Sequence, residues 1–172
     1  MDPHLEKLQR KIASAIEELP AGQLVRHAPG KWSVAEILEH LYLTYRGTIR
    51  GCGRLLETGK PLATKSSWKQ RAQAFVVVTL AYMPTGREAP QRARPRGCPP
   101  EEVTAEIAFA LSEMDRLLTD CAAKFGPRAK IMDHPFLGPF SIQQWRKFHL
   151  VHGLHHVKQI HRLREELGAG RI

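Results

Sequence analysis

The chain has 172 residues, enough for one domain over 1–172 with a substantial core, and 42% hydrophobic and 25% charged residues are ordinary for a globular protein. Charges run through the N-terminal stretch MDPHLEKLQRKIASAIEELP, and the longest apolar run, AFVVVTLAYM, is about half of the ~20 residues that span a bilayer. Neither a signal peptide nor a membrane helix is expected, and the expected location is cytoplasmic. Twenty-six basic residues against 17 acidic ones give a net charge of +9, which suits nucleic acid, anionic small molecules or plain solubility. Cys52, Cys98 and Cys121 form no CxxC pattern, so reduced thiols are expected rather than a zinc ribbon or a disulfide framework.

The first helix is predicted from Pro3 to Leu19. Asp2 suits its N-cap, Pro3 its first position, and Leu5, Leu8, Ile12, Ile16 and Leu19 form one apolar stripe. The second starts after Ser33, which pairs with Glu36 as a capping box, and runs to about Leu56, before Gly59. Val34, Ile37, Leu41, Tyr45, Thr48 and Cys52 define its buried face; Gly51 and Gly53 weaken its last part and suit a close approach of a neighbour. The segment Lys60–Pro100 is long and poorly patterned. Within it SSWKQRAQAFVVVTLAYM reads as a helix or, through its valines, as a strand. Arg87, Arg92, Arg94 and Arg96 follow among prolines and glycines, an irregular loop rather than a recognition helix, and no aromatics interleave with them as in a single-strand binder. Nucleic acid is therefore disfavoured as a partner. The third helix is expected across PPEEVTAEIAFALSEMDRLLTDCAAKFG, stopped by Gly126, and the fourth from a second capping box, Ser141 with Gln144, to Gly168. Four long amphipathic helices with a long crossover between the second and third predict an all-α four-helix bundle, whose sites are built from inward-facing side chains.

The fourth helix carries FHLVHGLHHVKQIH, five histidines in fourteen residues. At ~100° per residue, with His152 at zero, Trp145 and Leu163 fall near 20°, His156 near 40°, His149 near 60° and Ile160 near 80°. His155 lies about 60° to the other side, at the edge of this inner stripe, and His161 points away. His152 and His156, at i and i+4 on one face, can converge on one ion. Inward histidines are also ordinary hydrogen-bonded core residues, but several buried together each need partners. A third ligand has to come from elsewhere. His40, on the border of the second helix's stripe, is the natural candidate, with His4, His27 and His134 as alternatives.

The motifs GKWSVAEILEHL and GPFSIQQWRKFHLVHGLHHVKQI resemble those of the DinB-like superfamily, the YfiT-like metalloenzymes. The family's Trp-Ser pair followed by a histidine-bearing helix is matched by Trp32, Ser33 and His40. Its late H-x-x-H-H-x-x-Q-I helix is matched by His152, His155, His156, Gln159 and Ile160, and HPFLGPFS resembles a His-Pro lead-in through His134, Pro135 and Gly138. The resemblance implies the family's four-helix bundle and one divalent metal, zinc or nickel, on His40, His152 and His156. It leaves Trp145, His134, His149, His155 and Gln159 as residues of the pocket or its supporting layer. It further implies a small-molecule substrate and either thiol S-transfer with a bacillithiol- or mycothiol-type cosubstrate, the leading expectation, or metal-dependent hydrolysis. A non-catalytic metal-binding stress-response protein is the reading outside enzymology. Members often dimerise, so a homodimer is an expectation carried by the resemblance alone.

Overall fold

In a computed structural model describing residues 1–84, 86 and 88–169, the Asp2 carboxylate accepts the backbone N–H of His4 at 2.9 Å and opens helix α1, Pro3–Ile16. Leu5, Leu8, Ile12 and Ala15 form its buried stripe. The helix stops about a turn before the predicted Leu19, because Glu17 is extended and Glu18 takes a positive φ of 62°. A single turn, α2 (Ala21–Leu24), leads to α3 (Val34–Thr58). The capping box at its start is closed, with Ser33 N to Glu36 Oε2 at 2.8 Å and Glu36 N to Ser33 Oγ at 3.2 Å. Gly59 ends it at φ 71°, donating its N–H to the Leu55 carbonyl, as a left-handed C-terminal glycine does.

The crossover is helical where a strand was the alternative. Ser67 and Gln70 form a capping box for α4 (Trp68–Ala74), and the valine run continues as a π-helical turn over Phe75–Thr79 that buries Val77 and Val78. Its backbone bonds close along the segment, with the Leu80 N–H on the Phe75 carbonyl at 3.1 Å and the Tyr82 N–H on the Val76 carbonyl at 3.2 Å. A 3-10 turn at Gln91–Ala93 follows, before α5 (Pro100–Phe125), which starts on a proline and two glutamates and ends at Gly126. A hairpin was not foreseen. β1 (Lys130–His134) pairs antiparallel with β2 (Gly138–Ser141), with a register irregularity between Lys130 and Met132, and passes directly into α6 (Ile142–Ala169). Ser141 and Gln144 exchange the predicted capping bonds at 3.1 and 3.3 Å.

The four long helices make a bundle in which α3 packs along α5 and α1 along α6. Leu8, Leu38, Leu41, Tyr45, Leu111, Met114 and Leu118 are fully enclosed between them. Gly153 lets α1 approach α6: a Cβ there would stand 2.2 Å from Leu8 Cδ1. Gly51 makes a similar close contact with the hairpin, 2.5 Å from Met132 Sδ, whereas Gly53 has open space beside it. Arg146 on α6 holds Asp115 on α5 at 2.7 and 3.0 Å, and Asp115 accepts the Asp2 N–H at 2.8 Å, so one half-buried ion pair ties three helices. Among the described residues no helix is long and apolar enough to cross a membrane.

Candidate metal centre

His40 lies in the second turn of α3, and His152 and His156 lie one turn apart on α6. Their Nε2 atoms converge: His40 to His152 is 3.2 Å and His152 to His156 is 3.1 Å. One ligand atom from each of the three lies within 4.8 Å of the others. The outer ring nitrogens of two of them are tied down. His40 Nδ1 donates to the Ala93 carbonyl at 2.7 Å, and His156 Nδ1 donates to Gln159 Oε1 at 2.8 Å. The Gln159 amide in turn faces His155 Nε2 at 3.2 Å. Placing the proton on Nδ1 leaves the Nε2 lone pair free, the orientation that metal-binding histidines obtain from their supporting hydrogen bonds. His152 is positioned by packing instead. Its ring stacks on Phe148 at 5.4 Å and 8°, and its Nδ1 is buried without a protein partner.

The electrostatics point the same way. Burial lowers the His40 pKa despite the Ala93 bond, and burial with the neighbouring His40 pushes His156 down to about 3. Burial, then His156 and His40, push His152 well below the ordinary imidazole range. Two neutral rings, His40 and His156, thus turn Nε2 lone pairs toward the His152 Nε2, and with His152 in the same tautomer the three form a donor set that fits a divalent transition metal with nitrogen bonds of about 2 Å.

The cluster opens on a cavity of about 1080 Å³ between α3, α6, the crossover and the hairpin. His134, Trp145, His155 and Gln159 line it. His149 does not. It is fully enclosed, with Nε2 3.0 Å from Thr48 Oγ1 and its ring stacked on Trp145, and it belongs to the core. His161 is exposed, and His4 and His27 lie at the surface beside Asp2 and Lys31. Of the arginine-rich loop, Arg87 lies outside the described residues; Arg92 lines the cavity, and Arg94 pairs with Glu88.

Sequence reasoning passed over Glu39. This buried carboxylate accepts the backbone N–H groups of Arg96 (2.8 Å), Gly97 (3.1 Å) and Cys98 (3.2 Å). Burial opposes its ionisation, but these bonds and one from the Cys98 thiol hold its pKa below the ordinary carboxylate value. Glu39 thereby anchors the loop that brings the Ala93 carbonyl to His40. Its one sequence signal is an acid adjoining the candidate ligand, a weak one because helix acids are usually solvated.

The profile of the DinB superfamily matches residues 4–160, nearly the whole chain. The chain belongs to the DinB superfamily. A solved member of comparable architecture is YfiT from Bacillus subtilis, described as a probable metal-dependent hydrolase with an unusual four-helix bundle topology. Its superposition on this DinB-superfamily chain has a TM-score of 0.61 at 17% identity, covering 96% of this chain and 84% of YfiT. At that identity the likeness speaks for the fold. No curated protein matches the chain.

Proposed function

We propose that His40, His152 and His156 hold one divalent metal, zinc or nickel, and that the protein is a metal-dependent enzyme acting on a small molecule in the adjoining cavity. The observation that carries this reading is the convergence of three neutral Nε2 atoms within 4.8 Å at the wall of a cavity large enough for a substrate. When bound, the cation supplies Lewis acidity, which lowers the pKa of a thiol or a water beside it. Ala93 and Gln159 keep His40 and His156 in the ligand tautomer, while Trp32 packs against the His40 ring and Phe148 stacks on His152.

Thiol S-transfer is the first reading of the reaction. The carboxylates lining the cavity are already engaged: Asp133 by Thr64, Glu88 by Arg94 and Glu166 by Lys31. A thiol made acidic by a cation needs no further base, whereas hydrolysis also needs a proton for its leaving group. Hydrolysis is the second reading, favoured by the description of YfiT. Metal analysis of the purified chain tests the centre, with one equivalent expected. Turnover of an electrophilic aryl halide with a panel of low-molecular-weight thiols, set against hydrolysis of activated esters, separates the two reactions. Stoichiometric metal with ester hydrolysis and no thiol-dependent turnover would reverse their order.

A further inference from the structure

His134 sits at the end of β1, and its Nδ1 accepts two backbone N–H groups, from Phe136 and Leu137, each at 3.2 Å. A ring nitrogen that accepts a hydrogen bond carries no proton, so the proton of this imidazole is on Nε2. The ring is packed in place by Phe148 at 4.5 Å, Phe140 at 5.6 Å and Trp145 at 5.9 Å. Phe148 is also the ring that stacks on His152, so a single aromatic side chain separates His134 from the histidine cluster. Among the described residues the Nε2–H has no hydrogen-bond partner and is not sealed in the interior, and His134 lines the cavity. It is therefore a donor of fixed direction on the cavity wall.

The charge around it is unbalanced. Arg50, Arg92 and Arg162 line the same cavity and form no ion pair among the described residues, whereas its carboxylates are occupied as described above. Arg92 is close enough to His134 to oppose its protonation, after the larger effect of burial. It belongs to the 3-10 turn whose next residue, Ala93, holds His40. The loop anchored by Glu39 thus brings a ligand's supporting carbonyl and a cavity guanidinium to the site together.

We propose that the His134 Nε2–H and the Arg92 guanidinium form a binding subsite for an oxyanion, a carboxylate or a phosphate-type oxygen, carried by an otherwise apolar small molecule. Trp145, Phe148, Leu137 and Val77 line the cavity and supply the apolar wall against which its body lies. A fixed N–H and a guanidinium fork both favour an ionised oxygen over a neutral one, and such charge-assisted bonds are about twice as strong as neutral ones. The subsite names the substrate class for the enzyme proposed above and rests on that reading only for its catalytic meaning, since the binding itself needs no metal.

Calorimetric titration of phenylacetate, phenylphosphonate and the neutral phenylacetamide into the full chain, metal-free and zinc-loaded, tests the subsite. At least one anion is expected to bind about tenfold or more tightly than the amide in the metal-free protein. Whichever anion is preferred identifies the head group. Arg92→Met is expected to remove about tenfold of that affinity without touching the amide. His134→Asn keeps a side-chain acceptor for the turn but withdraws the Nε2–H, and the same loss is expected. Equal binding of anion and amide would overturn the subsite, as would anion affinity unchanged by both substitutions. If anions bind only the zinc-loaded protein and ignore both variants, the ion alone holds them and the subsite is wrong while the centre stands. Anion selectivity that persists in a protein found to take up no metal would leave the subsite standing and remove the centre.

Discussion

His149 and His152 stand three residues apart on α6, and burial holds both well below the ordinary imidazole range. One is a core residue and the other a ligand candidate. His149 turns its Nε2 to a single hydroxyl, Thr48, and its ring fills space against Trp145 and Tyr45. His152 turns its Nε2 to two other imidazole nitrogens whose opposite sides are hydrogen-bonded away. Burial, neutrality and an unpartnered Nδ1 are shared, so they do not distinguish a metal site from a core histidine. Convergence of ring nitrogens does.

That contrast is broken most directly by removing one group at a time. His152→Ala and His156→Ala are each expected to take bound metal from one equivalent to near zero after desalting, measured by elemental analysis, while His149→Leu retains the full equivalent. Retained metal in the first two variants would collapse the distinction.

The next effect is one of pH. His149 has a folded pKa of about 3, against ~6.5 in the unfolded chain. Between these values the unfolded state binds the extra proton, so stability is full above about pH 6.5 and declines as pH falls toward 3. Urea denaturation of the metal-free protein should show this group alone costing about 3 kcal/mol by pH 4.5, a dependence that His149→Leu removes. Identical pH slopes for the two proteins would mean that His149 is not held neutral.

Glu39→Gln sharpens the ligand side. An amide supports the three backbone N–H groups less well than the carboxylate, the Ala93 carbonyl loosens from His40, and metal affinity is expected to drop about tenfold in chelator competition. An unchanged affinity would mean that the crossover does not position the ligand. Gly153→Ala sits between His152 and His156 but on the side facing α1. Its new methyl overlaps the enclosed Leu8, at a cost of about 1 kcal/mol in thermal or urea unfolding after the helix-propensity gain, with metal stoichiometry retained. His161→Ala, on the exposed face, should change neither quantity.

The helices and their ends were largely legible because they are local: Asp2, Ser33 and Ser141 cap them through side chains two or three residues away, and Gly59 ends α3 through its own backbone freedom. The i, i+4 spacing likewise put His152 and His156 on one face before any fold was known. The end of α1 at Ile16 was missed because the stripe continues to Leu19 while the backbone turns at Glu18. The hairpin was missed because its strands are only five and four residues long, with Pro139 inside the second, show no alternation and exist only through pairing with each other.

By itself, then, the sequence determined four amphipathic helices, their caps and a pair of histidines facing one way, all consequences of periodicity and of bonds reaching a few residues along the chain. The motif resemblance named His40 as their partner, but only the tertiary structure brought its Nε2 to the pair, made His149 a core residue, and carried Ala93 and Arg92 to the site on the crossover loop that Glu39 anchors. Those contacts join residues 50 or more positions apart, and only the packing of the helices determines where a hydrogen bond of that separation closes.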